Sequence, residues 1–148
     1  GGKMAKNLYV GVGSKARKVK ALYVGVGGKA RKVKKVYVGV GGKARLVYTS
    51  YVAVSGINVS FSANGQNLTV NVSVSPSNAT NQRVSFSLSA VVPSKLYISS
   101  STSLSCVIYG LYNKRSSYTG HLTITASDGI VAKYYIETYH GSWIHTQE

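Results

Sequence analysis

Apolar and polar residues alternate with a period of two along most of this chain, and no stretch repeats its apolar positions at the 3.6-residue spacing of a helix. In the first third the alternation comes in copies. Leu8-Tyr9-Val10-Gly11-Val12-Gly13-Ser14-Lys15-Ala16-Arg17-Lys18-Val19 recurs as Leu22–Val33 and again as Val36–Val47, a fixed step of 14 residues. Tyr9, Tyr23 and Tyr37 mark the register, as do Arg17, Arg31 and Arg45. Within each copy Tyr-Val-Gly-Val puts its valines on one face and its tyrosine and glycine on the other, the pattern of a strand. Gly13-Ser14, Gly27-Gly28 and Gly41-Gly42 follow, and glycine there supplies the positive φ of a two-residue hairpin turn. Lys-Ala-Arg-Lys-Val then returns as the partner strand. In that register Tyr23 faces Lys32 and Val24 faces Arg31, a cation beside an aromatic ring. A lone hairpin is marginal in water, so each copy requires a neighbour, either the next copy or another subunit. Tyr51-Val52-Ala53-Val54 falls on the next step of 14, which predicts a ladder of hairpins running into the following domain without a linker.

Beyond Tyr51 the alternating runs are not repeats. They are Ile57 to Ser62, Leu68 to Val74, Val84 to Leu88, Leu96 to Ile98, Leu104 to Tyr109, Leu122 to Thr125 and Ile130 to Ile136. Turn signals separate them: Asn64-Gly65, Ser75-Pro76-Ser77-Asn78, Tyr112-Asn113-Lys114 and Ser127-Asp128-Gly129. About seven short strands in roughly 90 residues predict an immunoglobulin-like β-sandwich, with Val70, Val72, Val74, Val84, Phe86 and Leu88 facing inward. The chain is thus expected to be all-β. Residues 4–50 would form three basic hairpin repeats, 51–140 the sandwich and 141–148 a tail, with Gly1-Gly2-Lys3 ahead of Met4 as a cloning remnant.

Charge sharpens this division. Residues 1–47 hold 13 of the 18 cations and no Asp or Glu, whereas the remainder carries Arg83, Lys95, Lys114, Arg115 and Lys133 against Asp128, Glu137 and Glu148. Such asymmetry gives the repeats a task of their own. Tyr9, Arg17, Lys18, Tyr23, Arg31, Lys32, Tyr37 and Arg45 are the candidate assembly or polyanion-binding residues. Three readings compete: a hairpin ladder whose cations solvate its outer face or meet an acidic partner surface, a single-strand nucleic-acid surface that stacks bases and neutralises phosphates, and a glycan-binding module acting through the second domain. Gly27-Gly28-Lys29 lacks the spacing of a phosphate loop, and no helix pattern follows it.

Little catalytic chemistry is offered. With three acidic residues, paired-carboxylate catalysis would need Asp128 and Glu137, and Asp128 reads as a turn residue before Gly129. His121, His140 and His145 lack the spacing of a metal set, and the last two lie near an end expected to fray. Cys106, in the apolar run Leu104 to Tyr109, reads as a buried thiol. Asn58, Asn67, Asn71 and Asn78 each open an Asn-x-Ser/Thr triplet, expected by coincidence in so Ser-, Thr- and Asn-rich a chain. Tyr134, Tyr135, Tyr139, Trp143 and Ile144 make an aromatic-rich end suited to packing, a neighbouring subunit or a glycan. No stretch approaches the about 20 apolar residues of a membrane span, so the expectation is a soluble, non-enzymatic protein with no cofactor, no metal and no membrane insertion.

Val74-Ser75-Pro76-Ser77-Asn78-Ala79-Thr80-Asn81-Gln82-Arg83-Val84-Ser85-Phe86 resembles the early strands of bacterial immunoglobulin-like domains, with Phe86 where that family commonly has tryptophan. Gly120-His121-Leu122-Thr123-Ile124-Thr125-Ala126-Ser127-Asp128-Gly129 is similar to their late strand and turn. The repeats, as in Tyr23 to Lys35, resemble short tandem modules of phage and prophage virion proteins. Together these resemblances imply a structural component of a tailed-bacteriophage particle, in its tail, its baseplate or as capsid decoration. The repeats would dock or oligomerise, for example as a trimer, and the sandwich would project outward. The implied partners are other virion proteins and copies of the chain itself, with nucleic acid and a host surface glycan as alternatives. The implied location is the virion, assembled in the bacterial cytoplasm.

Overall fold

A computed structural model of the chain describes residues 6–148; the reading of residues 1–3 as a remnant and the start of the repeats at Met4 lie outside them. Among the described residues there are fourteen strands and no helix. The chain forms two compact units that divide between Val52 and Ala53.

The first unit is built from β1 (Tyr9–Val12), β2 (Lys15–Lys18), β3 (Tyr23–Val26), β4 (Lys29–Lys32), β5 (Lys35–Val40) and β6 (Lys43–Thr49). They pair as three separate two-stranded hairpins. The register is the one the turns predict: Tyr9 faces Lys18 and Tyr23 faces Lys32, while Val10, Val24 and Val38 face Arg17, Arg31 and Arg45. Gly27, Gly28, Gly41 and Gly42 all have positive φ, as a tight two-residue turn demands. In the first copy only Gly13 does, the glycine-first pattern of a II′ turn, so Ser14 is accommodated where the other copies carry a second glycine.

Two expectations for this region are corrected. The hairpins do not join into a continuous ladder, since each forms its own sheet. Nor does the repeat phase carry on as a strand, because residues 50–55 have no regular structure and β7 begins at Gly56. The backbone N–H of Val54 instead donates to Asp128 Oδ2 at 2.8 Å, and a loop amide satisfied by a side chain is not available to a sheet. Each hairpin is closed at its base. Val19 N–H donates to the Leu8 carbonyl and Val33 N–H to the Leu22 carbonyl, both at 2.7 Å. Lys6 N–H then donates to Thr49 Oγ1 at 3.0 Å, and Thr49 N–H to the Lys6 carbonyl at 3.4 Å, tying the start of the first copy to the end of the third.

The second unit contains two antiparallel four-stranded sheets. One comprises β7 (Gly56–Asn64), β8 (Asn67–Ser75), β10 (Leu96–Ser101) and β11 (Ser105–Gly110) in the order β10-β11-β8-β7. The other comprises β9 (Ser85–Ala90), β12 (Ser117–Thr125), β13 (Val131–Tyr139) and β14 (Ser142–Gln147) in the order β14-β13-β12-β9. Alternate residues of both sheets merge in one core that includes Leu68, Val70, Leu96, Cys106, Ile108, Leu122, Ile124 and Ile136, all essentially inaccessible to solvent. Val70, Val72, Val74 and Val84 are buried as the alternation predicts, and Phe86 and Leu88 pack against them half-buried.

Residues 141–148, expected as a tail, form the edge strand β14 with six paired positions on β13, from Tyr139–Ser142 to Tyr134–Gln147. His140 and Gly141, at φ 49° and 88°, make the turn that returns the chain. Trp143 fixes this strand: its indole N–H donates to the Gly65 carbonyl at 3.0 Å, and its ring occupies the space left by Gly110.

Two measurements check this packing. Ile124→Ala should lower unfolding stability by about 2–5 kcal/mol, as large-to-small changes at fully buried sites do. Urea titration followed by fluorescence of the one tryptophan, Trp143, reports on this unit. Gly110→Ala should cost about 1–3 kcal/mol through overpacking. Its methyl would come within 2.2 Å of Thr138 Cγ2 and 2.7 Å of Trp143 Cη2.

Burial pushes the Cys106 thiol up to about 12 from an ordinary value of 9.0. A raised folded-state value means that its contribution to stability is complete below pH 9 and is lost as pH rises from there through about 12. The thiol should therefore resist a thiol-specific reagent at pH 8 until urea unfolds the domain; prompt labelling of the folded chain would show the burial to be wrong.

Candidate functional site

The predicted site residues all lie on the three hairpins, and geometry divides them between two faces. Opposed residues of an antiparallel pair share a face, so Val10, Val12, Lys15 and Arg17 point one way, and Tyr9, Gly11, Ala16 and Lys18 the other. The second copy repeats this arrangement with Val24, Val26, Lys29 and Arg31 opposite to Tyr23, Gly25, Ala30 and Lys32. The third has Val38, Val40, Lys43 and Arg45 on one face, but Tyr37 is opposed by Leu46, and the register shifts between Val36 and Tyr37. The guanidinium groups therefore lie with the valines, and the tyrosines lie with lysine or leucine.

Both faces are open. Tyr9, Tyr23 and Tyr37 are 55–61% exposed, and the six valines Val10, Val12, Val24, Val26, Val38 and Val40 are 45–51% exposed. Residues with reduced exposure collect instead at the hairpin bases, among them Leu8, Val19, Leu22, Val33, Val36 and Val47, with Tyr48 fully buried. Each hairpin is thus a two-sided blade carrying apolar and cationic side chains that its own unit leaves uncovered. Nine exposed large hydrophobic side chains thus recur in three equivalent sets.

The groups singled out elsewhere for chemistry are dispersed and engaged. His121 Nδ1 bonds to the Glu148 carboxylate. The Tyr135 hydroxyl donates to Glu137, which raises the Tyr135 phenol, with burial adding to the effect. Asp128 is the turn residue anticipated, with positive φ, but it also accepts from Val54. His145 stacks on Phe61 with centroids 4.0 Å apart, and His140 on Tyr139 at 4.1 Å. No group of three or more His, Cys, Asp or Glu among the described residues is placed to hold a metal ion.

The aromatic end offers little space. A crevice of about 10 Å³ between Gln66, Tyr112 and Trp143 has room for about one water, because Tyr112 packs over Gly141 and Trp143 fills the gap beside Gly110. Gln66 Oε1 accepts from the Tyr109 hydroxyl and the Tyr112 amide there, which fixes the strand ends. Sequence reasoning missed the Lys6–Thr49 tie and the Asp128–Val54 bond; both join residues far apart in the chain, and no local pattern announces them. No protein-family profile, curated protein or solved structure matches this chain.

Open blades and a closed core predict a contrast in backbone protection. Amides of β1 to β4, whose residues are all exposed, should exchange with solvent far faster than those of Val70, Ile108 and Ile124. Hydrogen exchange read by mass spectrometry would check it, and equal protection in the two units would show the hairpins to be covered.

Proposed function

We propose that this protein is a non-enzymatic structural component of a tailed-phage particle, held to its assembly by the three hairpins, with the second unit as the domain it displays. The observation that supports the reading is the triple set of exposed valines, tyrosines and cations on blades too small to bury a face of their own. Repeated apolar side chains in water are costly unless something covers them, so a docking role gives them a purpose that a freely diffusing monomer does not.

The displayed domain is, in this proposal, immunoglobulin-like. Its first sheet runs β7-β8-β11-β10, matching the A-B-E-D order of that architecture, and its second runs β9-β12-β13, matching C-F-G, with β14 added outside. Phe86 on β9 then occupies the strand that carries the characteristic aromatic residue, packed against the core. A second reading, nucleic-acid binding, draws on the opposite blade face, where Tyr9 and Tyr23 stand beside small residues and a lysine.

Deleting residues 4–47 tests the docking role. The full chain should be recovered in purified particles of the encoding phage, and the truncated chain should be lost from them while Trp143 fluorescence still reports a cooperative unfolding transition. Retention of the truncated chain in particles would overturn the reading.

A further inference from the structure

The hairpin surface also carries information about what covers it. It holds no carboxylate of its own, since residues 1–47 contain neither Asp nor Glu. A second copy of the chain supplies too few, three carboxylates against 18 cations. The whole sequence has three acidic residues, and each is already engaged within its own chain: Asp128 with the Val54 amide, Glu137 with the Tyr135 hydroxyl and Glu148 with His121. A net charge of +15 further opposes pairing two copies through their most basic parts.

Nucleic acid would neutralise the cations but leave the valines unexplained. Arg17, Arg31 and Arg45 are each directly opposite a valine, and a second valine and a lysine complete that face. A phosphate backbone presents nothing apolar to cover six half-exposed valines. The aromatic rings that could stack bases lie on the other side of the blade, away from the guanidinium groups. A protein surface on which apolar side chains are rimmed by Asp or Glu answers both features of the valine face, by apolar burial and by charge-assisted contacts to arginine.

We infer that the three blades dock on an acidic surface of a different protein, with Val10, Val24 and Val38 covered by apolar side chains and Arg17, Arg31 and Arg45 paired with carboxylates around them. This rests on the docking role proposed above and names its partner's chemistry. Three blades of one design further fit a partner that presents the same patch several times, as a symmetric oligomer does.

The test uses the full chain and three probes: polyglutamate, a random glutamate–leucine copolymer of equal charge, and oligo-deoxythymidine. At about 0.15 M salt, where exposed charges are largely screened beyond a Debye length, the copolymer should bind at least about tenfold tighter than polyglutamate. The triple variant Val10→Thr, Val24→Thr, Val38→Thr keeps the charge and the β-branched shape, and should sharply reduce that preference. Arg17→Gln, Arg31→Gln, Arg45→Gln together should weaken both acidic polymers, and Tyr9→Thr, Tyr23→Thr, Tyr37→Thr removes the rings that base stacking on the other face would need. Equal affinity for the two acidic polymers would overturn the inference. So would tighter binding of the oligonucleotide, lost in the tyrosine variant, or a salt-resistant self-oligomer that excludes the copolymer. These outcomes are separable from failure of the docking role, which is read from retention of the truncated chain in particles.

Discussion

A two-stranded hairpin has no interior: with a single layer of two strands, every side chain on either face meets solvent unless another element comes to lie on it. In this chain that constraint acts three times over, and the sequence meets it in two ways. Inside the unit, the burden is moved to the hairpin bases, where Tyr48 is buried and the amide and hydroxyl of Thr49 close on Lys6. Outside it, the blades keep their valines half-exposed and surround them with Lys and Arg. Stability of the first unit therefore rests on short-range turn geometry and a small shielded base, and that of the second on a continuous two-sheet core.

The same cations limit misassembly. Each blade has two free strand edges, and an edge with alternating valines is a template for pairing with other strands. Lys15, Lys29 and Lys43 immediately after the turns, and an arginine two residues further on, place like charges along the return strand of every copy. Two such edges repel one another, whereas an acidic surface is attracted. In the docking proposed above, one set of residues would thus discourage the wrong partner and favour a complementary one, which is how specificity is commonly built.

The pattern of the chain made some features readable and hid others for identifiable reasons. Hairpin register was legible because a two-residue glycine turn fixes which residues face each other, and Tyr23–Lys32 and Val24–Arg31 follow from it directly. Inward valines of β8 were legible because one side of that strand is buried and the other exposed. The strand Ser142–Gln147 was not, since its apolar pair Trp143-Ile144 is adjacent and the run shows little alternation; its pairing depends on Trp143 reaching Gly65, 78 residues away. Tyr51-Val52-Ala53-Val54 falls on the next step of 14 and repeats the alternation, but no glycine turn and basic return strand follow it, and Val54 is bound to Asp128 instead. The two-faced character of the blades followed from period and register together, yet that neither face is covered could be seen only in three dimensions.

The placement of the three carboxylates gives the charge asymmetry its meaning. Asp128, Glu137 and Glu148 face 18 cations in the same sequence, so one copy has too few carboxylates to complement the blades of another. Each carboxylate also holds a bond within its own chain, to the Val54 amide, the Tyr135 hydroxyl and His121, and none lies in the repeats. An acid-free, valine-bearing surface that its own chain cannot neutralise makes physical sense where the complement arrives on another molecule. The stability that the blades lack alone would then be supplied at the moment of docking, so that ordering of the hairpins and occupancy of the partner become a single linked equilibrium.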